Sequence, residues 1–262
     1  MWKQKNRLHS HNLKTSWDQE LYMSNMYPPN STIDWVDTDT PEDAINDRDL
    51  KYTFNEYGFR SDSFEERGDY NILVSGCSHT VAVGVDQEEG WPFVLRKMME
   101  DHSGKKVGMW NLATSGASPD YVVRSIIKTS EILKPDVVFV FWPPSVRIEL
   151  PSSEKVTTPQ VTQSFVRNPE YPKLFVNDSW IDDYMFTKNL IMLNRYCLAE
   201  KIRYKSDKNY FNKVDGDFWS IPDSSGRDGL HPGPEWHKNL ASYFFNFIKD
   251  KMDQPHGQIQ NN

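Results

Sequence analysis

Hydrophobic positions change their spacing several times in the middle of this chain. Residues 72–74 and 137–142 are apolar throughout, as are strands of a parallel sheet that is covered on both faces. Apolar residues recur at helical spacing after Trp91 and after Pro119, and residues 107–112 have the pattern of another strand. This alternation predicts an α/β fold, a three-layer αβα sandwich with a parallel sheet of the flavodoxin-like kind.

The same periodicity predicts four longer helices. They span about residues 91–101, 119–133, 180–200 and the residues after 234. Ser118 starts the second of these helices, and Lys134-Pro135 stops it. One face of the third helix carries Cys197, which predicts a core position for this thiol. Residues 202–221 are predicted to hold one or two short strands.

The rest of the chain divides around this domain. Residues 1–69 have little periodicity and many turn formers, which predicts an irregular arm or cap packed on a main domain of residues 70–252. Arg60 in the arm is interpreted as a surface ion pair, with the approach to a substrate anion as the alternative. Residues 143–178 are rich in proline and lack a helical period, which favours a partly ordered lid. Residues 253–262 are predicted to form a loose tail.

Candidate chemistry begins at Ser78, just after the first strand of the predicted sheet. Such positions lie at the carboxyl edge, where α/β sheets bind their ligands. Far along the chain, Asp228 precedes His231 by three positions, and Pro232 follows. The Asp228 carboxylate could orient Nδ1 of His231 while Nε2 takes the proton of the Ser78 hydroxyl. The sequence therefore predicts a Ser-His-Asp triad, with the Ser78 backbone N–H facing the negative charge that develops.

Other interpretations of these residues stay open. Small polar residues after a strand are common turn formers, so Ser78 could have a structural role in a turn and no role as a nucleophile. Cys77 could be the nucleophile, because a thiol ionises more easily than a hydroxyl, although a packed thiol is favoured. His79 could be the base, but adjacent residues on a helix do not face each other. A place in the cleft or in the packing is favoured for His79.

The stretches that hold these residues resemble motif blocks of the SGNH, or GDSL-type, hydrolases. Residues 76–80 (Gly-Cys-Ser-His-Thr) are similar to the first block, with Cys77 where an aspartate is usual. Residues 228–232 (Asp-Gly-Leu-His-Pro) are similar to the last block. Residues 54–60 and 84–92 resemble segments of one branch of this family. The resemblance implies the same αβα fold and the same triad.

The two middle blocks of the family correspond less closely. Residues 111–118 resemble the second block, which implies that the amide of Gly116 joins that of the nucleophile in the oxyanion hole. The third block normally supplies an asparagine, and Pro144 stands in its place without a backbone N–H. Ser145 or Arg147 could compensate for this missing donor. The residues predicted to line the substrate cleft are His79, Trp142, Ser145 and Arg147.

The composition limits the classes of binding partner and the cellular location that we expect for this protein. The 262 residues carry a formal net charge of −7, which argues against nucleic-acid binding through clustered basic residues. Two cysteines provide no disulfide framework, and no stretch approaches the roughly 18 consecutive apolar residues of a membrane span. The chain as given has no apolar signal core and is predicted to be cytoplasmic. Without a zinc spacing, a Walker loop or a dinucleotide motif, no metal or other cofactor is expected.

The predicted activity is serine-dependent ester hydrolysis through an acyl-enzyme, on a small acyl group carried by a carbohydrate or a similar molecule. Trp142 and Trp219 could stack on sugar rings, although core packing is the favoured alternative for any one tryptophan. Two other functions stay open. One is transfer of the acyl group to a sugar hydroxyl by the same triad. The other is a binding or structural module on a degenerate hydrolase fold, for which Cys77 and Pro144 are the reasons.

Overall fold

A computed structural model of the chain describes residues 30–35, 50–145, 147, 149–151, 156–157, 179–207, 226 and 231–254. The strands are β1 (Thr32–Trp35), β2 (Leu50–Thr53), β3 (Tyr70–Ser75), β4 (Val107–Asn111), β5 (Val137–Phe141), β6 (Leu150–Pro151), β7 (Val156–Thr157) and β8 (Arg203–Asp207). The α-helices are α1 (Ser78–Val81), α2 (Trp91–Ser103), α3 (Pro119–Leu133), α4 (Ser179–Ala199) and α5 (Pro234–Ile248).

Four strands form a parallel sheet in the order β4-β3-β5-β8. Counted along the chain, this order is second, first, third and fourth, so the winding direction reverses between β3 and β5. In such sheets the crevice at the carboxyl ends of the two strands at the reversal is where ligands bind. The segments that follow β3 and β5 therefore meet at this crevice.

Side chains alternate between the two faces of the sheet, and each face is covered by a pair of helices. The face that packs on α3 and α4 carries Leu73, Trp110, Val138 and Val140. The face that packs on α2 and α5 carries Ile72, Val74, Met109, Val137 and Phe139. This arrangement confirms the predicted αβα sandwich with a parallel sheet.

The helices begin and end close to their predicted positions. The Ser118 side chain accepts a hydrogen bond from the backbone N–H of Tyr121, and α3 ends where Lys134 adopts a left-handed conformation. Cys197 on α4 is buried in the core, as predicted. Periodicity was sufficient for α2 to α5 because each of these four helices repeats its apolar spacing over three or more turns.

The predicted arm contains more regular structure than its sequence indicates. β1 and β2 pair antiparallel, and along β2 the buried Leu50 and Tyr52 alternate with the exposed Lys51 and Thr53. Four residues are too short a run for this alternation to stand out in the sequence. Most of the predicted lid (152–155 and 158–178), residues 1–29 and 36–49 of the arm, and residues 255–262 of the tail lie outside the described residues.

Candidate active site

Ser78 is the first residue of α1, three residues beyond the end of β3, and it is largely buried. The turn that leads to it requires glycine at position 76. A Cβ there would lie 2.2 Å from the Thr80 hydroxyl oxygen and 2.6 Å from the Phe141 carbonyl oxygen. The close approach packs the turn against the end of β5. Ser78 thus lies at the edge of the sheet where the winding reverses.

Arg60 is buried beneath α1, so its interpretation as a surface ion pair is wrong. Only 2% of the residue is exposed, and its guanidinium donates to the carbonyls of Val81 (3.2 Å), Ala82 (2.5 Å) and Val85 (3.0 Å). It also lies 4.0 Å from the centre of the Tyr52 ring. A helix of one turn leaves its last carbonyls without helical partners, and a buried guanidinium with five N–H groups can satisfy several.

Burial lowers the pKa of Arg60 to about 10, against a smaller opposing influence of Tyr52 and nearby acidic residues. The guanidinium is therefore still charged at neutral pH. Its hydrogen bonds to the carbonyls near the end of α1 are charge-assisted, which makes them stronger than bonds between neutral groups.

A turn in the arm, around Asn55, positions Arg60 beneath α1. The Asn55 side-chain oxygen accepts hydrogen bonds from the backbone N–H groups of Tyr57 and Phe59, both at 3.0 Å. Gly58 has a φ of 79°, a value that glycine adopts without strain. Asn55, Gly58 and Arg60 belong to residues 54–60, which resemble a segment of the family named above. In the structure, the turn that they form places the Arg60 guanidinium against the helix that begins with Ser78.

Two further polar side chains hold α1 and the loop after it. The Asn111 side-chain N–H donates to the Thr80 carbonyl at 2.9 Å, while its oxygen accepts from the Ala113 N–H at 3.0 Å. The Tyr52 hydroxyl accepts a hydrogen bond from the Gly84 N–H at 2.8 Å. Sequence reasoning missed these roles, although Asn111 opens the stretch that resembles the second family block. Asn111 couples that loop to the helix that begins with Ser78.

Cys77 is packed, as favoured from the sequence, and its thiol contacts His79. The residue is 1% exposed, and Sγ lies 3.5 Å from Nδ1 of His79. Burial acts to raise the pKa of Cys77, but the hydrogen bond and charge of His79, together with the charge of Arg147, outweigh it and lower the pKa to about 6. A pKa of about 6 favours the thiolate form of Cys77 at neutral pH.

The ionisation of Cys77 predicts a pH-dependent stability. An acid whose pKa falls from 9.0 to about 6 on folding stabilises the fold fully above pH 9.0, and this stabilisation disappears as the pH falls toward 6. We expect the difference in unfolding free energy between the wild type and Cys77→Ala, measured by urea titration, to grow from pH 6 to pH 9. A difference that does not change with pH would show that the thiol stays protonated.

His231 lies beside the residue that follows Ser78. Its ring centre is 5.6 Å from that of His79, and the two rings meet edge to face. The ring of Trp236 on α5 lies 5.8 Å from that of His79, so the start of α5 packs against α1. Asp228 is outside the described residues, and the triad as a whole stays a prediction.

His237, on α5, has a structural role. It is fully buried, and its Nδ1 accepts a hydrogen bond from the backbone N–H of Trp91 at 3.2 Å. Burial lowers the pKa of His237 to about 3, with smaller contributions from the charges of His79, Arg60 and His231. The neutral ring ties α5 to the start of α2. No group of three or more His, Cys, Asp or Glu side chains suited to a metal occurs in the part of the chain that the structure describes.

The remaining predicted site residues lie on two loops. Gly116, half-buried with a φ of 77°, is on the loop between β4 and α3. Trp142 is buried and meets the Phe186 ring edge to face at 5.3 Å, so core packing, the alternative considered above, describes its environment. Ser145 and Arg147 are half-buried on the segment after β5, and Arg147 donates to the Ala117 carbonyl at 3.4 Å. Trp219 lies outside the described residues.

No helix in the described parts of the chain combines the length and the apolar character needed to cross a membrane.

No protein-family model and no curated protein sequence matches this chain. Among solved structures, it is similar to the esterase EstA from Pseudoalteromonas sp., with 16% identity over 70% of this chain and 98% of that one and a TM-score of 0.40. It is also similar to a lipase/acylhydrolase from Enterococcus faecalis (14% identity, 69% and 96% covered, TM-score 0.41). A third similar structure is Est24, a carbohydrate acetylesterase from Sinorhizobium meliloti (9%, 70% and 99%, TM-score 0.35). Because these scores are low, the functional proposal rests on the residues of this chain.

Proposed function

We propose that this protein is a serine-dependent ester hydrolase that uses Ser78 as nucleophile, His231 as general base and Asp228 to orient the histidine. The observation that carries the proposal is the 5.6 Å approach of the His231 ring to that of His79, the neighbour of Ser78. This approach brings together two segments that are distant in sequence, at the edge of the sheet where the winding reverses. The rigid support of α1 by Arg60 and Asn111 suits a group that must be held in one position.

In the proposed reaction, Ser78 Oγ adds to the ester carbonyl carbon while Nε2 of His231 takes its proton. The carbonyl electron pair moves to the oxygen, which accepts hydrogen bonds from the backbone N–H groups of Ser78 and Gly116. Collapse of this intermediate breaks the bond to the alcohol, which leaves with the proton from His231. Water then attacks the acyl-enzyme in the same way and releases the acid.

Labelling with a fluorophosphonate probe tests the nucleophile. We expect the probe to label the wild type and to leave Ser78→Ala unlabelled, because the probe forms a covalent bond only with an activated nucleophile. Mass spectrometry of the labelled peptide separates Ser78 from Cys77, and Cys77→Ala is expected to keep its label on Ser78. A label that follows Cys77 would overturn the assignment. No label on any variant would favour a binding or structural module.

The proposed substrate is a small acyl group on a carbohydrate or similar carrier. Acetate release from acetylated saccharides, with Ser78→Ala as the control, tests this class. Adding a sugar acceptor and analysing the products distinguishes hydrolysis, which releases the free acid, from transfer, which moves the acyl group to the acceptor.

A further inference from the structure

The segment after β5 brings a cation between two loops of the candidate site. Arg147 Nη1 donates to the carbonyl of Ala117 at 3.4 Å, one residue beyond Gly116. The charge of Arg147 also acts on Cys77, the residue directly before Ser78. The guanidinium therefore lies next to the loop that carries Gly116, and its charge acts on the residue before Ser78. These are the two segments whose backbone amides the proposed function assigns to the oxyanion hole. Arg147 lies on the segment that follows β5, which meets the segment after β3 at the crevice.

The position of Arg147 is held from both sides. Its backbone N–H donates to the Pro144 carbonyl at 3.2 Å, which closes a turn at the start of the segment. Two residues further on, the Glu149 carboxylate accepts two hydrogen bonds from Arg124 on α3, at 2.5 and 2.9 Å. Both side chains of this ion pair are largely shielded from water. The paired geometry holds Glu149, two residues from Arg147, against α3.

Arg147 retains hydrogen-bond donors for a ligand. A guanidinium has five N–H donors, and one of those of Arg147 makes a long hydrogen bond to the Ala117 carbonyl, at 3.4 Å. Among the described residues, its Nε is buried and has no hydrogen-bond partner. A buried donor of this kind is costly unless something else accepts from it. A ligand oxygen at the site would supply that acceptor.

The neighbourhood of Ser78 also requires a positive charge. The pKa of Cys77, lowered to about 6, favours a negatively charged thiolate at neutral pH. An oxyanion that forms at the carbon attacked by Ser78 adds a second negative charge close to the first, and like charges repel strongly at a site shielded from water. Backbone amides alone carry no net charge to offset this repulsion. A guanidinium near both groups offsets it.

We propose that Arg147 is a catalytic residue that donates a hydrogen bond to the oxyanion and supplies the compensating positive charge. This inference rests on the proposed function. As the Ser78 oxygen bonds to the ester carbon and the carbonyl electron pair moves to its oxygen, the guanidinium of Arg147 receives that charge together with the amides of Ser78 and Gly116. Arg147 keeps its protons throughout, and the charge returns to the carbonyl bond when the alcohol leaves.

Steady-state kinetics on p-nitrophenyl acetate test this role, because the substrate is neutral and offers no anion for Arg147 to bind in the ground state. We expect Arg147→Met to lower kcat by about 10²–10³-fold with little change in KM, as loss of an oxyanion-hole donor does. Arg147→Lys, which keeps the charge without the fork of donors, is expected to recover part of the loss. Lys97→Met, which removes an exposed charge on α2, is the matched control.

Three outcomes separate this inference from the function on which it rests. Probe labelling of the wild type at Ser78, with kcat unchanged in Arg147→Met, would overturn the role of Arg147 and leave the hydrolase proposal standing. A rise in KM at constant kcat would also overturn it, since Arg147 would then contact the substrate before reaction. A wild type that neither labels nor turns over ester would overturn both. Thermal unfolding of each variant shows whether the fold is kept.

Discussion

Replacing His231 by alanine is expected to reduce turnover of p-nitrophenyl acetate by about 10⁴–10⁶-fold. Without the imidazole, no group removes the proton as Ser78 Oγ attacks, and the hydroxyl is a poor nucleophile at neutral pH. The residues of a triad act as a unit, so the loss of one removes most of the advantage of all three. Initial rates, together with the rate of fluorophosphonate labelling, measure the effect.

His102 and His79 provide the comparisons for this variant. His102 is exposed near the end of α2, where its ring contacts that of Phe245 at 5.5 Å, and His102→Ala is expected to keep wild-type turnover. His79→Ala removes the partner of the Cys77 thiol and leaves the proposed base in place. If His79→Ala abolished turnover while His231→Ala kept it, His79 would be the base and the assignment of His231 would be wrong.

Replacing Arg60 by methionine is expected to lower the free energy of unfolding by about 2–4 kcal/mol. The change removes charge-assisted hydrogen bonds to three carbonyls and leaves these acceptors buried without the guanidinium. Relief from the cost of burying the charge offsets part of the loss. Because the carbonyls of Val81 and Ala82 lie at the end of α1, Ser78 shifts with them. A shift of about 1 Å at a nucleophile can cost on the order of 10² in rate.

Urea unfolding measures the loss of stability, and Arg67 offers a matched control. Arg67 also donates to a carbonyl, that of Leu133 at 2.6 Å, and lies over an aromatic ring, that of Trp110, but it is exposed. Arg67→Met is expected to change stability by less than about 1 kcal/mol. Arg60→Lys should fall between the wild type and Arg60→Met, because an ammonium cannot reach three carbonyls with one rigid fork. Equal unfolding midpoints for Arg60→Met and the wild type would contradict this account.

The core of the fold was predictable because its pattern is local and repeated. The run of residues 137–142 indicated a strand covered on both faces, and β5 is that strand. Ser118 and Lys134 marked the limits of α3 because capping and αL conformations depend on a few neighbouring residues. The pairing of β1 with β2 was not predictable, since two runs of four residues contain too few repeats.

For the candidate site, the sequence offered a list of reactive side chains, and the triad among them stays a prediction. The triad residues stood out by their chemistry and their spacing, whereas Arg60 was misplaced on the surface. Its partners are main-chain carbonyls of residues 81, 82 and 85, and a carbonyl has no sequence signature. The packing of Trp142 against Phe186 was open for a similar reason, because an aromatic residue at the end of a strand suits a cleft as well as a core.

By itself, the sequence determined the layered α/β architecture and the buried place of Cys197, and it supplied the residues proposed to perform acyl transfer chemistry. These depend on periodicity and on residue type, which are properties of short stretches. Only the tertiary structure decided that Arg60 supports α1, that Cys77 pairs with His79 and that Arg147 reaches the loop of Gly116. Each of these contacts depends on the path of the backbone, which brings the two groups together. Burial then determines how strongly their charges interact.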